Sequence, residues 1–257
     1  MARKEAILAA GTLRTFQVLM LSGIGPATTL SEHGISTIID VPHVGKSLTD
    51  HFALFQLYRL RNPERDLVLG SPLLSEPAFM KGMPTDWVIN QDVLVHILEP
   101  TPGRPLVETM MVYAPAGVPS VPIDGSHIVT SVMLLASSSR GSVSIRSSSP
   151  MNPPLVNLIT LTPKRIVSPS YRARRMMQAL LNMPALSNYM EAEVPPLGMH
   201  KLTPESPDSL FEARIRATGL AHAHPAGTAT MGKVVDPDLR VYGVDNLRVV
   251  DASVCFQ

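Results

Sequence analysis

From Phe52 to Leu60 the chain alternates with a period of two: Phe52, Leu54, Gln56, Tyr58 and Leu60 against Ala53, Phe55, Leu57 and Arg59. Successive side chains of a strand point to opposite faces, so this pattern predicts a sheet strand. Val93–Leu98, Thr109–Tyr113, His127–Leu135 and Ser142–Arg146 continue in the same style. Ser138-Ser139-Arg140-Gly141 reads as a tight turn joining the last two into an antiparallel hairpin. The chain has 24 prolines, concentrated between Pro63 and Pro122 and between Pro150 and Pro207. Proline removes a ladder donor, so such spacing suits short strands joined by loops. Helical signals appear at Ser170–Leu181, where Tyr171, Met177, Leu180 and Leu181 recur on one side. A further helix is predicted from a Ser206 cap and Pro207 through Leu210, Phe211 and Ile215 to Gly219.

The flanks read differently. Lys4–Ala10 is expected to be a short buried strand ending at Gly11. Thr12 or Thr15 would cap a helix through Leu21, closed by Ser22-Gly23. A short helix around Ala27–His33 and a β-branched strand at Ser36–Val41 follow, and Leu247–Val250 is the last strand. The expected fold class is therefore α+β: an antiparallel sheet with helices on one face, between two short α/β pieces. The expected boundaries are 1–51, 52–220 and 221–257.

At 257 residues the chain can bury one good core or two modest ones. A formal net charge of +1 with 17% charged residues gives no electrostatic argument for nucleic acid or an anionic membrane. Arg172, Arg174 and Arg175, the densest cationic group, read as a solvated helix face. No apolar run reaches the length of roughly 18 residues that a spanning helix needs. Ala6–Ala10 is too short for a signal-peptide core, which leaves the compartment unknown and cytoplasmic by default. The single cysteine, Cys255, excludes an internal disulfide and reads as a packed thiol.

Chemistry concentrates near the C-terminus. His222-Ala223-His224-Pro225-Ala226-Gly227-Thr228-Ala229-Thr230-Met231-Gly232 is followed by Val235-Asp236-Pro237 and by Asp251-Ala252-Ser253. Near the N-terminus stand Gly11-Thr12-Leu13-Arg14-Thr15-Phe16 and Val44-Gly45-Lys46-Ser47-Leu48-Thr49-Asp50-His51. Together these stretches closely resemble the glucose–methanol–choline (GMC) flavoprotein oxidoreductases. Phe16 stands where that family commonly has proline, and Ser47 where it has asparagine.

The resemblance implies a substrate-binding cap domain at 52–220, with partial FAD-domain segments at 1–51 and 221–257. It places Arg140–Pro150 in a hairpin of the cap. It implies His224 as catalytic base toward a substrate hydroxyl, with His222 as its companion, and Gly11, Ser47, Asp251 and Ala252 beside FAD. The family's phosphate loop would stand upstream of Met1, and a second catalytic His or Asn with a last helix beyond Gln257. The chain alone is accordingly expected to purify without stoichiometric FAD.

Residue by residue, His222 and His224 flank Ala223, which on an extended strand puts both rings on one face. Histidine suits a base because its ordinary pKa lies near neutrality. The same pair could ligate zinc only with a third ligand such as Asp50, His51 or Asp236, and no metal site is assigned. His51 reads as a strand-start histidine bonded to backbone. Gly23-Ile24-Gly25 lacks the preceding strand and third glycine of a dinucleotide loop.

Three functional readings stay open at this point. One is the C-terminal part of an FAD-dependent alcohol oxidoreductase. Another is a flavin-free acid–base enzyme (lyase, isomerase or cyclase) using the two histidines. The third is a non-catalytic binding subunit, covered by self-association or by a separate FAD-domain partner. The substrate implied is a small apolar or aromatic alcohol. Phe79, Met83, Trp87 and Tyr113 are pocket candidates that read equally as core.

Overall fold

The fold, given by a computed structural model, is described over residues 4–65, 68, 70–72, 87–91, 107–112, 121–135, 139–158 and 183–255. In chain order, β1 (Ala6–Leu8) leads to α1 (Thr12–Leu21), β2 (Ile24–Gly25), α2 (Ala27–Glu32), β3 (Ile39–Asp40) and β4 (Lys46–Leu48). β5 (Phe52–Leu60), β6 (Trp87–Gln91), β7 (Val107–Val112) and β8 (His127–Leu134) follow. Next are β9 (Gly141–Ser144), β10 (Leu155–Asn157), α3 (Pro184–Ser187), β11 (Met190–Val194) and α4 (Asp208–Thr218). β12 (Leu220–Ala221) and β13 (Leu247–Val249) come last, with 3-10 turns at Pro63–Arg65 and Ala252–Val254. Val93–Leu98, Ser170–Leu181, Phe79, Met83, Tyr113 and the arginine group at 172–175 lie outside the described residues.

The chain divides into two units, Met1–His51 with Ser137–Thr160 and Ala223–Gln257, and Phe52–Ala136 with Leu161–His222. The expected middle segment, 52–220, is thus interrupted by 137–160, which folds with the first unit.

In the first unit, Phe16, Leu19 and Met20 recur at helical spacing and bury one face of α1. They meet Leu30, Val44, Leu48, Val143, Ile145, Val235 and Val249 in one apolar cluster. Neither Thr12 nor Thr15 caps the helix. Gly11 is the cap residue, and both threonines lie inside the first turn with their hydroxyls turned to distant partners. β1 and β13 pair in parallel, as an α/β piece requires. β1 is not the buried strand expected: Ala6 and Ile7 are exposed and, within β1, only Leu8 packs on the cluster, whereas Val249 of β13 is buried in it and Leu247 packs against it. The strand at 36–41 contracts to β3, paired with β2.

β9 does not form a hairpin with β8. It pairs with β10 on one side and β4 on the other, while β8 pairs with β5 and β7. The reason is tertiary. Val143 donates its N–H to the Gly45 carbonyl at 2.7 Å, and Val143 and Ile145 fill the first unit's core. The Arg140–Pro150 segment therefore belongs to the first unit and not to the sheet that begins at Phe52.

The described residues of the second unit include a six-stranded antiparallel sheet, ordered β11-β5-β8-β7-β6 with β12 beside the start of β5. The alternation in β5 sorts its side chains as expected. Phe52, Leu54, Tyr58 and Leu60 join Phe211 and Ile215 of α4, together with Ile128, Met190 and Leu202. Ala53 and Phe55 point the other way, with Met110, Val112, Met133 and Leu135. The described fold is thus mixed α/β, with antiparallel pairing throughout the larger sheet. Among the described residues no helix is long and apolar enough to cross a membrane.

Candidate active site

Residues 49–51 leave β4 and meet residues 224–226 within the first unit. Thr49 and Ala226 exchange both backbone hydrogen bonds at 2.9 Å, which fixes the register of the two segments. Asp50, buried, accepts the His224 backbone N–H on Oδ1 at 2.9 Å. One step further along each segment, the His51 and His224 rings meet edge to face, with centroids 5.1 Å apart and an 81° interplanar angle. Their Nδ1 atoms are 3.0 Å apart. His51 therefore bonds another side chain, across 173 residues of sequence, beyond the local backbone role expected of it. Its ring is half-buried, whereas His224 is exposed.

The segment after His224 is held by backbone and threonines. Thr12 donates its hydroxyl to the Pro225 carbonyl at 2.8 Å, and Thr228 donates to the Thr12 carbonyl at 2.7 Å. Gly227 donates to the Ala252 carbonyl at 3.1 Å and Ala229 to that of Ser253 at 2.8 Å. Gly227 has φ +88°, and a Cβ there would lie 2.5 Å from the Ser47 carbonyl oxygen. Only glycine combines that backbone with that approach. The Pro225–Thr228 run thus fixes the exit of the chain from His224.

His222 does not follow the alternation that paired it with His224. β12 ends at Ala221, and Ala223 takes φ 58°, so the backbone turns instead of continuing extended. The argument for a shared face depended on extended backbone and fails here. His222 belongs to the second unit, where its ring stacks on Phe55 at 5.9 Å between centroids and 19° between planes.

The four residues carried over as FAD contacts gather in the first unit around the Pro225–Thr228 run. Ser47 (φ 64°) lies under Gly227, Ala252 accepts from it, and Gly11 is joined to them through Asp251. The Asp251 carboxylate accepts from Gly11 N–H at 3.0 Å, the Thr15 hydroxyl at 2.5 Å and Ser253 N–H at 2.8 Å. Asp251 therefore orients main chain, and its oxygens are occupied by protein donors. A Cβ on Gly11 (φ +79°) would meet nothing within 4 Å, and Ala252 is exposed. The main chain at Gly11 and Ala252 thus lies open to close approach from outside. Cys255, expected to be packed, is exposed. Among the described residues no three His, Cys, Asp or Glu side chains gather as a metal would require.

Burial alone would raise the Asp251 pKa. The Thr15 hydroxyl and the amides of Ser253 and Gly11, all donating to the carboxylate, outweigh it and hold the carboxyl below its ordinary value. A carboxyl depressed in the folded state contributes stability that is complete above its unfolded pKa and is lost as pH falls through the folded one. Asp251→Asn should therefore lower stability at neutral pH by roughly 1–2 kcal/mol. The gap to the parent protein should close as pH drops below the usual carboxylate range. Chemical denaturation at a series of pH values measures this, and a gap independent of pH would contradict it.

Residues 137–257 and 1–53 match two family models, both described as GMC oxidoreductase. The GMC-type oxidoreductase acuG of Aspergillus aculeatus is 35% identical, over 98% of this chain and 52% of its own length. An oxygen-dependent choline dehydrogenase of Brucella canis is 29% identical, over 98% of this chain and 47% of its own. Among solved structures, a point variant of Aspergillus oryzae formate oxidase, in which FAD modification was followed, superposes with a TM-score of 0.83 at 27% identity. It covers 99% of this chain and 50% of that one. The chain spans about half the length of the curated relatives it matches.

Proposed function

Because this chain belongs to the GMC oxidoreductase family, we propose that it forms the substrate-side part of an FAD-dependent oxidoreductase that oxidises an alcohol at its CH–OH group. The observation that carries this reading is the placement of His224. Its ring is exposed, its backbone is held by Asp50, and its exit is fixed by Pro225 and Gly227. A histidine so held can take the hydroxyl proton of a substrate as the C–H bond is oxidised. Bound FAD would supply the hydride acceptor. Gly11 and Ala252 would bring main chain against that cofactor, while Ser47 and Asp251 would shape the turn around it. The Asp251 carboxylate holds the Gly11 amide in place.

We take the substrate to be a small apolar or aromatic alcohol, as membership of this family of oxidoreductases suggests. The rest of the FAD site would come from further residues of a longer polypeptide, a second copy, or a separate FAD-binding partner. The test is anaerobic titration with aliphatic and aromatic alcohols of the flavin-loaded protein in which this chain is completed by the rest of its FAD site, followed by flavin absorbance. Bleaching by an alcohol is expected. A bound flavin that no alcohol reduces would overturn the proposal.

A further inference from the structure

A hydrogen bond between two imidazole Nδ1 atoms admits one proton. At 3.0 Å, one of His51 and His224 carries Nδ1–H and the other presents a lone pair. Which ring carries it decides what the far edge of His224 can do. If His51 donates, neutral His224 must carry its proton on Nε2 and offers a substrate only a donor. If His224 donates, its Nε2 is left with a lone pair and can act as a base.

We propose that His51 is the positioning residue of His224, accepting the Nδ1–H of His224 on its own Nδ1 so that the Nε2 lone pair of His224 is kept for the substrate hydroxyl. The assignment rests on the reading of His224 as the base and adds to it the group that makes the base competent. The main chain prepares the contact. The Thr49–Ala226 pair sets the register, and the buried Asp50 carboxylate fixes the His224 backbone N–H. Asp50 thus holds the backbone of His224 while His51 holds the ring. The edge-to-face angle of 81° turns the ring edge of one histidine toward the other.

The proton balance is simple. The substrate O–H bond breaks and an Nε2–H bond forms, converting His224 to imidazolium. Its Nδ1–H then donates a charge-assisted bond to His51, stronger than the neutral bond it replaces. His51 neither gains nor loses a proton in this step. It holds the His224 ring in the tautomer and orientation that the step requires.

The test is long-range proton–nitrogen NMR on the 15N-histidine-labelled chain, in which protonated and bare ring nitrogens resonate far apart. The His224 ring is assigned by the signals lost in His224→Ala. The parent chain should show His224 with a protonated Nδ1 and a bare Nε2. In His51→Ala the His224 signals should move away from that pattern. His51→Asn places a carboxamide oxygen near the position of Nδ1 and should restore the parent pattern. Where alcohol oxidation is measured, His51→Ala should lower kcat roughly ten- to a hundredfold with little change in KM. A His224 proton found on Nε2 in the parent, or His224 signals unmoved by His51→Ala, would overturn the proposal. Absent oxidase activity would count against the functional reading alone, because the ring nitrogens are read without turnover.

Discussion

Arg214→Met is expected to destabilise the second unit by about 3–5 kcal/mol, the scale for removing one partner from a buried ion pair. Arg214 and Glu193 are both buried, with side chains 3% and 1% exposed. Arg214 lies on the inner face of α4, three residues after Phe211 and next to Ile215. It donates to the Glu193 carboxylate and, at 2.6 Å, to the His200 carbonyl. The other Glu193 oxygen accepts the Leu202 N–H at 2.5 Å. Without Arg214 a buried carboxylate keeps one amide donor and loses its counter-charge, so it must protonate or draw in water. The double variant Glu193→Leu, Arg214→Met should recover much of the loss, because neither buried charge then remains. Recovery should stop short of the parent, since the Leu202 N–H loses its acceptor and an unsatisfied buried donor costs roughly 1–3 kcal/mol. Urea unfolding of the parent, both single variants and the double closes the cycle. A single variant within 1 kcal/mol of the parent would show that water already carries the pair.

That pair shows where a sequence is legible and where it is not. The β5 strand was readable because its alternation is local and both phases meet apolar cover. The α4 helix was readable because Pro207 and Gly219 mark its ends and Phe211 and Ile215 its inner face, although Pro207, not Ser206, is its cap residue and no side chain caps it. The i, i+3 step from Phe211 to Arg214 already pointed inward, but the signal that Arg214 is paired lies at Glu193, 21 residues earlier. The misreadings share this cause. Ser138–Gly141 looked like a hairpin turn, yet β9 takes β4 as a partner through a core that no window of sequence contains. Thr15 looked like a cap, and its hydroxyl instead reaches Asp251 across 236 residues. The pairing of His222 with His224 assumed an extended Ala223, and a left-handed φ in a non-glycine residue leaves no compositional trace. His51 was in view as part of a motif, but nothing local connects it to His224.

His224→Ala should lower turnover of alcohols by roughly a hundredfold or more, the usual scale for removing a general base. At about 1.4 kcal/mol per tenfold, that is about 3 kcal/mol or more of transition-state stabilisation. The substitution separates chemistry from folding. The ring is exposed, and the bonds that fix its segment use backbone atoms: His224 N–H to Asp50, the Thr49–Ala226 exchange, and Gly227 N–H to Ala252. Alanine keeps all of them, so the melting temperature should move little while kcat falls. The two histidines also predict a pattern that a merely local contact would not. If His51 acts only through His224, then His51→Ala should cost activity in the parent and nothing further in the His224→Ala background, because residues acting as one unit are not additive. Equal losses from His51→Ala in both backgrounds would give His51 a role of its own. An unchanged kcat in a well-folded His224→Ala protein would remove His224 from the chemistry altogether, leaving the imidazole pair as a structural contact between residues 49–51 and 224–226.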